Sequence, residues 1–173
     1  MARADFYLIA KPRFLEKPLL LVCELARKAC DSGQPLLILA NSEAQAEVLD
    51  ELLWEFDPDA YVPHQVAGMD EDDEVTPVLI VAPEYEAPMR PLVINLRNHA
   101  VADGFERVLE VVPADASARE PSRQRWKDYL ARGIAVNKHD MNRVGSASIA
   151  SHDNQATSSA CRAAHAPRVA VLP

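Results

Sequence analysis

The chain has 173 residues, 49% apolar and 6% aromatic, which suits one domain with an aliphatic core and leaves too little for two comfortable ones. No apolar run approaches the roughly 18 residues that a membrane span requires. Lys11, Arg13, Glu16 and Lys17 interrupt any apolar leader, so no membrane association is expected and the expected compartment is the cytoplasm. A net charge of -8 argues against direct binding of nucleic acid, whose phosphates a binder must neutralise.

In chain order, residues 5–10 (DFYLIA) read as a first strand and residues 11–17 as a connection. A helix is expected over 18–31, with Pro18 in its first turn and Leu21, Val22, Leu25, Ala26 and Ala29 at helical spacing. Gly33 lies just past its end, where a left-handed stop is wanted. Residues 36–40 (LLILA) form a continuous apolar run, the mark of a strand covered on both faces. Ser42 and Gln45 match a capping box that opens the next helix, with Val48, Leu49, Leu52, Leu53 and Phe56 as its apolar stripe and Pro58 at its end.

Strand-like runs follow at 78–81, 92–96 and 108–112, and a helix opens within 117–121. Strands alternating with helices at this spacing imply βαβ units and a mainly parallel sheet, an α/β fold. From about residue 139 the composition turns to Ala, Ser, Asn and Thr without periodicity. The expected organisation is a folded domain over 1–138 and a disordered extension over 139–173.

Charge is distributed very unevenly along this frame. No Lys or Arg occurs between Lys28 and Arg90, while carboxylates gather from Glu43 to Asp59 and in the run Asp70, Glu71, Asp72, Asp73, Glu74. From Arg119 to Lys138 the sign reverses, with Arg119, Arg123, Arg125, Lys127, Arg132 and Lys138 against only Glu120 and Asp128. Such polarity can steer an acidic partner to one side of an anionic protein.

Tests for catalytic chemistry return little. The loop after the first strand (AKPRFLEK, 10–17) has no glycine, so the backbone cannot approach a phosphate as GxGxxG or GxxxxGK[ST] does. A nucleotide-binding enzyme with a degenerate phosphate loop, in which Lys11 and Arg13 would meet the phosphate, is the rival reading. His64, His99, His139, His152 and His165 are isolated, and His64 in the turn after Pro63 reads as a structural, hydrogen-bonded residue. Cys23, Cys30 and Cys161 show no CxxC spacing, so neither a disulfide framework nor a zinc site is expected, and Cys23 and Cys30 read as two buried thiols. The run Asp70 to Glu74 has no ligand spacing and reads as a solvated loop. No cofactor is expected.

Recognition features are more distinct. Arg119, Arg123, Trp126 and Lys127 fall at i, i+4, i+7 and i+8, placing three cations and an indole along one side of the last helix. Guanidinium groups suit bidentate capture of carboxylate, and a neighbouring ring offers apolar contact, so an acidic peptide with an aromatic end is a fitting ligand. An ordinary amphipathic helix with Trp126 in the core is the competing reading. Trp54 lies off the core stripe of its helix and, with Tyr61, is a second candidate anchor.

Several stretches together resemble the chi subunit of the bacterial DNA polymerase III holoenzyme. They are FYLI at 6–9, VCELA at 22–26, SGQPLLILA at 32–40, QAEVLDELLW at 45–54, YVPHQVAG at 61–68, PLVINLR at 91–97, FERVLEVVP at 105–113 and SRQRWKDYLARGIAVN at 122–137. The resemblance implies a Rossmann-like three-layer fold without a nucleotide signature, and an accessory, non-catalytic role. It also implies two partners: the acidic C-terminal tail of single-stranded DNA-binding protein, and the psi subunit of the clamp loader. A DNA-repair helicase is an alternative partner, and DNA is contacted indirectly. Carried over by position, the tail site falls on Val112, Arg119, Arg123, Trp126 and Lys127, and the psi site on Trp54 and Tyr61. Pro121 departs from the family pattern, because a proline inside the helix would remove a backbone donor unless the helix starts close to it.

Overall fold

A computed structural model describes residues 2–68 and 76–140. Seven strands form one sheet in the order β3-β4-β2-β5-β6-β1-β7, and every neighbouring pair is parallel. The strands are β1 Arg3–Leu8, β2 Leu36–Leu39, β3 His64–Val66, β4 Val78–Val81, β5 Leu92–Asn95, β6 Arg107–Val112 and β7 Ala135–Asp140. Among the described residues four α-helices cover the sheet: α1 Pro12–Glu16, α2 Leu19–Asp31, α3 Glu43–Glu55 and α4 Arg119–Ala131.

The apolar runs do what two-sided strands require. Leu36, Ile38, Ile80 and Ile94 point to one face, where α2 and α3 pack Leu21, Leu25, Ala46, Leu49 and Leu53 against them. Leu37, Leu79, Val93 and Val108 point to the other face, beneath Tyr129 of α4 and Val101 and Phe105 of the β5–β6 connection. Each fully buried aliphatic side chain contributes roughly 1.5–3 kcal/mol of transfer free energy, so the three layers rest on this sheet. Of two predicted helix signals, Gly33 acts as expected and the capping box in part, since Gln45 reaches the N–H of Asn41 rather than that of Ser42. Ser42 accepts a hydrogen bond from the Gln45 N–H while Gln45 Oε1 accepts from the Asn41 N–H, and Gly33 stops α2 at φ 67°.

Other expectations need correction. Residues 12–16 are the short helix α1 rather than a plain connection, because Pro12 suits a first helical position and Phe14 is drawn into the core. Val48 is 50% exposed and not part of the α3 core stripe, which is completed by Ala46 instead. Cys23 is a free thiol, and it and Cys30 are both buried on α2. Pro121 does not delay α4, which follows a 3-10 turn at Ala116–Ala118. It is the third helical residue, where a backbone N–H has no partner within the helix, so no hydrogen bond is lost. His139 and Asp140, expected in the disordered extension, are the last two residues of β7; the acidic run at 70–74 and the rest of the extension lie outside the described residues.

Strand β7 had no sequence signal, since AVNKHD lacks apolar alternation and its side chains are largely exposed. Polar contacts hold it to β1. Asp5 is only 2% exposed, accepts hydrogen bonds from Arg107 and from Asn137 (3.2 Å), and lies 3.2 Å from His139 Nε2. The His139 ring stacks on Tyr7, with centroids 4.8 Å apart. Burial pushes the Asp5 carboxyl upward, but Arg107, His139 and Asn137 outweigh it and hold the pKa below the usual 3.8.

Replacing Asp5 with Ala leaves Arg107 without its buried counter-charge and is expected to lower the unfolding free energy by about 3 kcal/mol in urea titrations. A carboxyl with a depressed native pKa contributes its full stability above the unfolded value and loses it as pH falls through the native one. The gap between wild type and Asp5→Asn should therefore be fully present above pH 3.8 and narrow progressively as pH falls below it.

Candidate functional site

The placement of α4 starts from a carboxylate inside the sheet. Glu110 of β6 is completely buried on the face beneath α4. Arg125 Nε donates to its Oε2 at 2.9 Å, while the Tyr129 hydroxyl and Asn95 Nδ2 donate to Oε1 at 2.6 and 2.8 Å. The network continues outward. Arg125 also donates to Ser122 Oγ (3.2 Å), Ser122 donates to the Ala118 carbonyl (2.6 Å), and the Tyr129 oxygen accepts from the Val101 N–H (3.0 Å). Asn95 also donates to the His99 carbonyl at 2.9 Å, tying the β5–β6 connection to the same point. Burial raises the Glu110 pKa against the pull of Arg125, Tyr129 and Asn95. Burial and the adjacent Glu110 likewise push the Tyr129 hydroxyl upward, so it stays a donor.

With Ser122, Arg125 and Tyr129 turned inward, the rest of α4 is fixed in rotation. Arg119, Arg123 and Lys127 are exposed on the opposite side, and the Arg123 side chain is 71% accessible with only a distant Glu120 contact at 3.9 Å. Trp126 sits between these two faces. It is partly buried, its ring centroid 4.9 Å from that of Phe6, and it joins the cluster that contains Leu8 and Val112. Of the five residues expected for the tail site, the structure gathers Val112 and Trp126 in one apolar cluster and sets the three cations on the outer face of the same helix. Arg125 is not among them, since its charge is directed inward to Glu110.

The second candidate surface lies on the opposite face of the sheet. Trp54, near the end of α3, is 50% exposed and Tyr61 38%, their ring centroids 6.0 Å apart. His64 supports them from below, 4.8 Å from the Trp54 ring. Its Nδ1 lies 2.6 Å from the Val62 carbonyl and its Nε2 2.9 Å from the Asp50 carbonyl, which pins the 62–64 segment against α3. His64 is thus the structural residue expected from its turn. Its link to the aromatic pair is tertiary and had no sequence signal.

Nucleotide chemistry has little to work with. In parallel α/β sheets ligands bind at the carboxyl ends of the strands. A crevice of about 160 Å³ exists there, lined in part by Asn41, Gln45, Asn98 and Arg97. Arg97, however, donates from Nε to the Ala40 carbonyl (3.0 Å) and from a terminal nitrogen to the Val81 carbonyl (3.1 Å), closing the ends of β2 and β4. Among the described residues no group of three or more His, Cys, Asp or Glu side chains is placed to hold a metal ion, and no helix is long and apolar enough to cross a membrane.

Fold and sites together define a Rossmann-like, three-layer α/β protein without a nucleotide-binding signature, carrying one cationic and one aromatic surface on opposite faces. The family profile described as DNA polymerase III chi subunit, HolC, matches residues 1–137, and the chain belongs to that family. It is 33% identical over 148 residues to DNA polymerase III subunit chi of Pseudomonas aeruginosa, covering 83% of this chain and all of that protein. It is 35% identical over 120 residues to the Escherichia coli subunit, covering 68% and 81% respectively. A solved structure, that of T4 UvsW, superposes with a TM-score of 0.53 at 8% identity over 80% of this chain and 42% of the other; this likeness speaks for the fold alone. The chain is therefore an accessory, non-catalytic subunit of DNA polymerase III, acting in DNA replication, and the reading as a nucleotide enzyme is set aside.

The Glu110 network has a direct consequence for stability. Glu110→Gln keeps the shape but leaves Arg125 as an uncompensated buried cation, so the unfolding free energy in urea should fall by about 3 kcal/mol.

Proposed function

We propose that this chi subunit is an adaptor that bridges the clamp loader to single-stranded DNA-binding protein. It holds the acidic C-terminal tail of that protein on α4 and the psi subunit at Trp54 and Tyr61. The observation that carries the reading is the cationic row Arg119, Arg123 and Lys127 exposed beside the half-buried Trp126. A tail rich in aspartate and ending in proline and phenylalanine matches it group by group. Arg123 takes the terminal carboxylate, Trp126 and Val112 line the phenylalanine pocket, and Arg119 and Lys127 attract the aspartates. DNA is then contacted only through its coating protein, in keeping with the net charge of -8.

Calorimetric titration with a peptide ending Asp-Pro-Phe tests the tail site. Arg123→Ala should weaken binding by about 2 kcal/mol, the range for a charge-assisted hydrogen bond, and unchanged affinity would remove the carboxylate clamp. In pull-downs, Trp54→Ala should release psi and leave the peptide bound, because the two surfaces share no element. Loss of both would point to a common surface or to misfolding.

A further inference from the structure

The outward face of α3 holds more than an aromatic anchor. Glu47, Val48, Glu51, Trp54 and Glu55 recur at spacings of three and four and are all exposed, so two apolar side chains sit within a row of three carboxylates. None of Glu47, Glu51 and Glu55 forms an ion pair with a described residue. Arg27 on α2, the helix that packs beside α3, is engaged by Asp57 at 2.8 Å and Asp31 at 3.9 Å.

Among the described residues no cation offsets the carboxylate row. Glu47 with Glu51, and Glu51 with Glu55, are like-charge pairs four residues apart, which weaken a helix. Glu55 stands in the last turn, where the helix dipole favours a cation, and no basic residue is present there. Exposed Val48 and Trp54 add apolar surface to water. All three costs are relieved by one kind of occupant, an apolar segment flanked by Lys or Arg.

We propose that the α3 face selects a cationic partner segment, with an apolar side chain against Trp54 and Tyr61 and basic residues over Glu47, Glu51 and Glu55. The acidic row steers its association. The proposal rests on the reading of Trp54 and Tyr61 as the psi-docking residues and gives that docking its electrostatic sign. Steering of this type acts on the association rate and weakens with salt, whereas aromatic anchoring acts mainly on dissociation.

The test is stopped-flow association of the full chain with the psi subunit of the same bacterium, from low to high ionic strength. A Glu47→Lys/Glu51→Lys variant and Trp54→Ala are measured alongside, with retained binding of the Asp-Pro-Phe peptide as the check on folding. The association rate of wild type should fall steeply with salt. The double variant should associate roughly tenfold more slowly at low salt with little change in dissociation, and Trp54→Ala should instead dissociate faster. A salt-insensitive rate, or a double variant that associates as fast as wild type, overturns the charge selection while leaving the docking surface in place. Failure of wild type to bind psi overturns the docking reading and this inference with it.

Discussion

A single buried carboxylate, Glu110, determines how the cationic helix is presented. Taking it out of water costs several kcal/mol, and the cost is offset only because donors from separate segments converge on it: Arg125 and Tyr129 from α4 and Asn95 from the end of β5. Such a pair adds little net stability compared with a well-packed apolar core. Its effect is geometric. Arg125 and Tyr129 are four residues apart, so only one rotation of α4 lets both reach Glu110, and that rotation turns Arg123 and Lys127 outward and lays Trp126 against Phe6. The orientation of the cationic face is thus a consequence of a contact on the other side of the helix.

The parallel sheet separates two opposed chemistries. One layer holds α2 and α3, with the acidic and aromatic surface; the other holds α4, with the cations. Among the described residues the supports of the two surfaces differ: His64, held by Asp50, lies against Trp54, while Glu110 and Phe6 serve α4. Substitutions on the two should act additively. An overall anion can thus keep one locally cationic face, because salt screens each local field from the remainder over roughly 8–10 Å.

What the sequence disclosed follows the physical origin of each signal. The runs at 36–39 and 78–81 were legible because strands buried on both faces need unbroken apolar residues, and α2 and α3 because their inward residues repeat at helical spacing. Strand β7 was not legible, since Asp5, Arg107 and His139 hold it through contacts more than 100 residues apart in the chain. Val48 looked like core because it is aliphatic and near the stripe, yet it falls on the outer side of α3. Arg125 looked like one more cation of the basic helix. Its pairing with Glu110 is fifteen residues away and unmarked by composition, although a lone Glu within the apolar run VLEVV was the one available hint.

The same sheet also explains why the fold's usual binding place has no role in this reading. A nucleotide in a doubly wound sheet needs free amide groups and close backbone approach at the carboxyl ends of the strands. Here β1 runs into α1 through a loop without glycine, and Pro12 removes an amide from the first helical position. The carbonyls of Ala40 and Val81, which end β2 and β4, are already satisfied by Arg97. Arg97 thus spends its guanidinium on the chain's own carbonyls at the edge of the crevice. The exposed cations of α4 and the exposed Trp54 of α3 lie away from it, on the outer faces of the two layers.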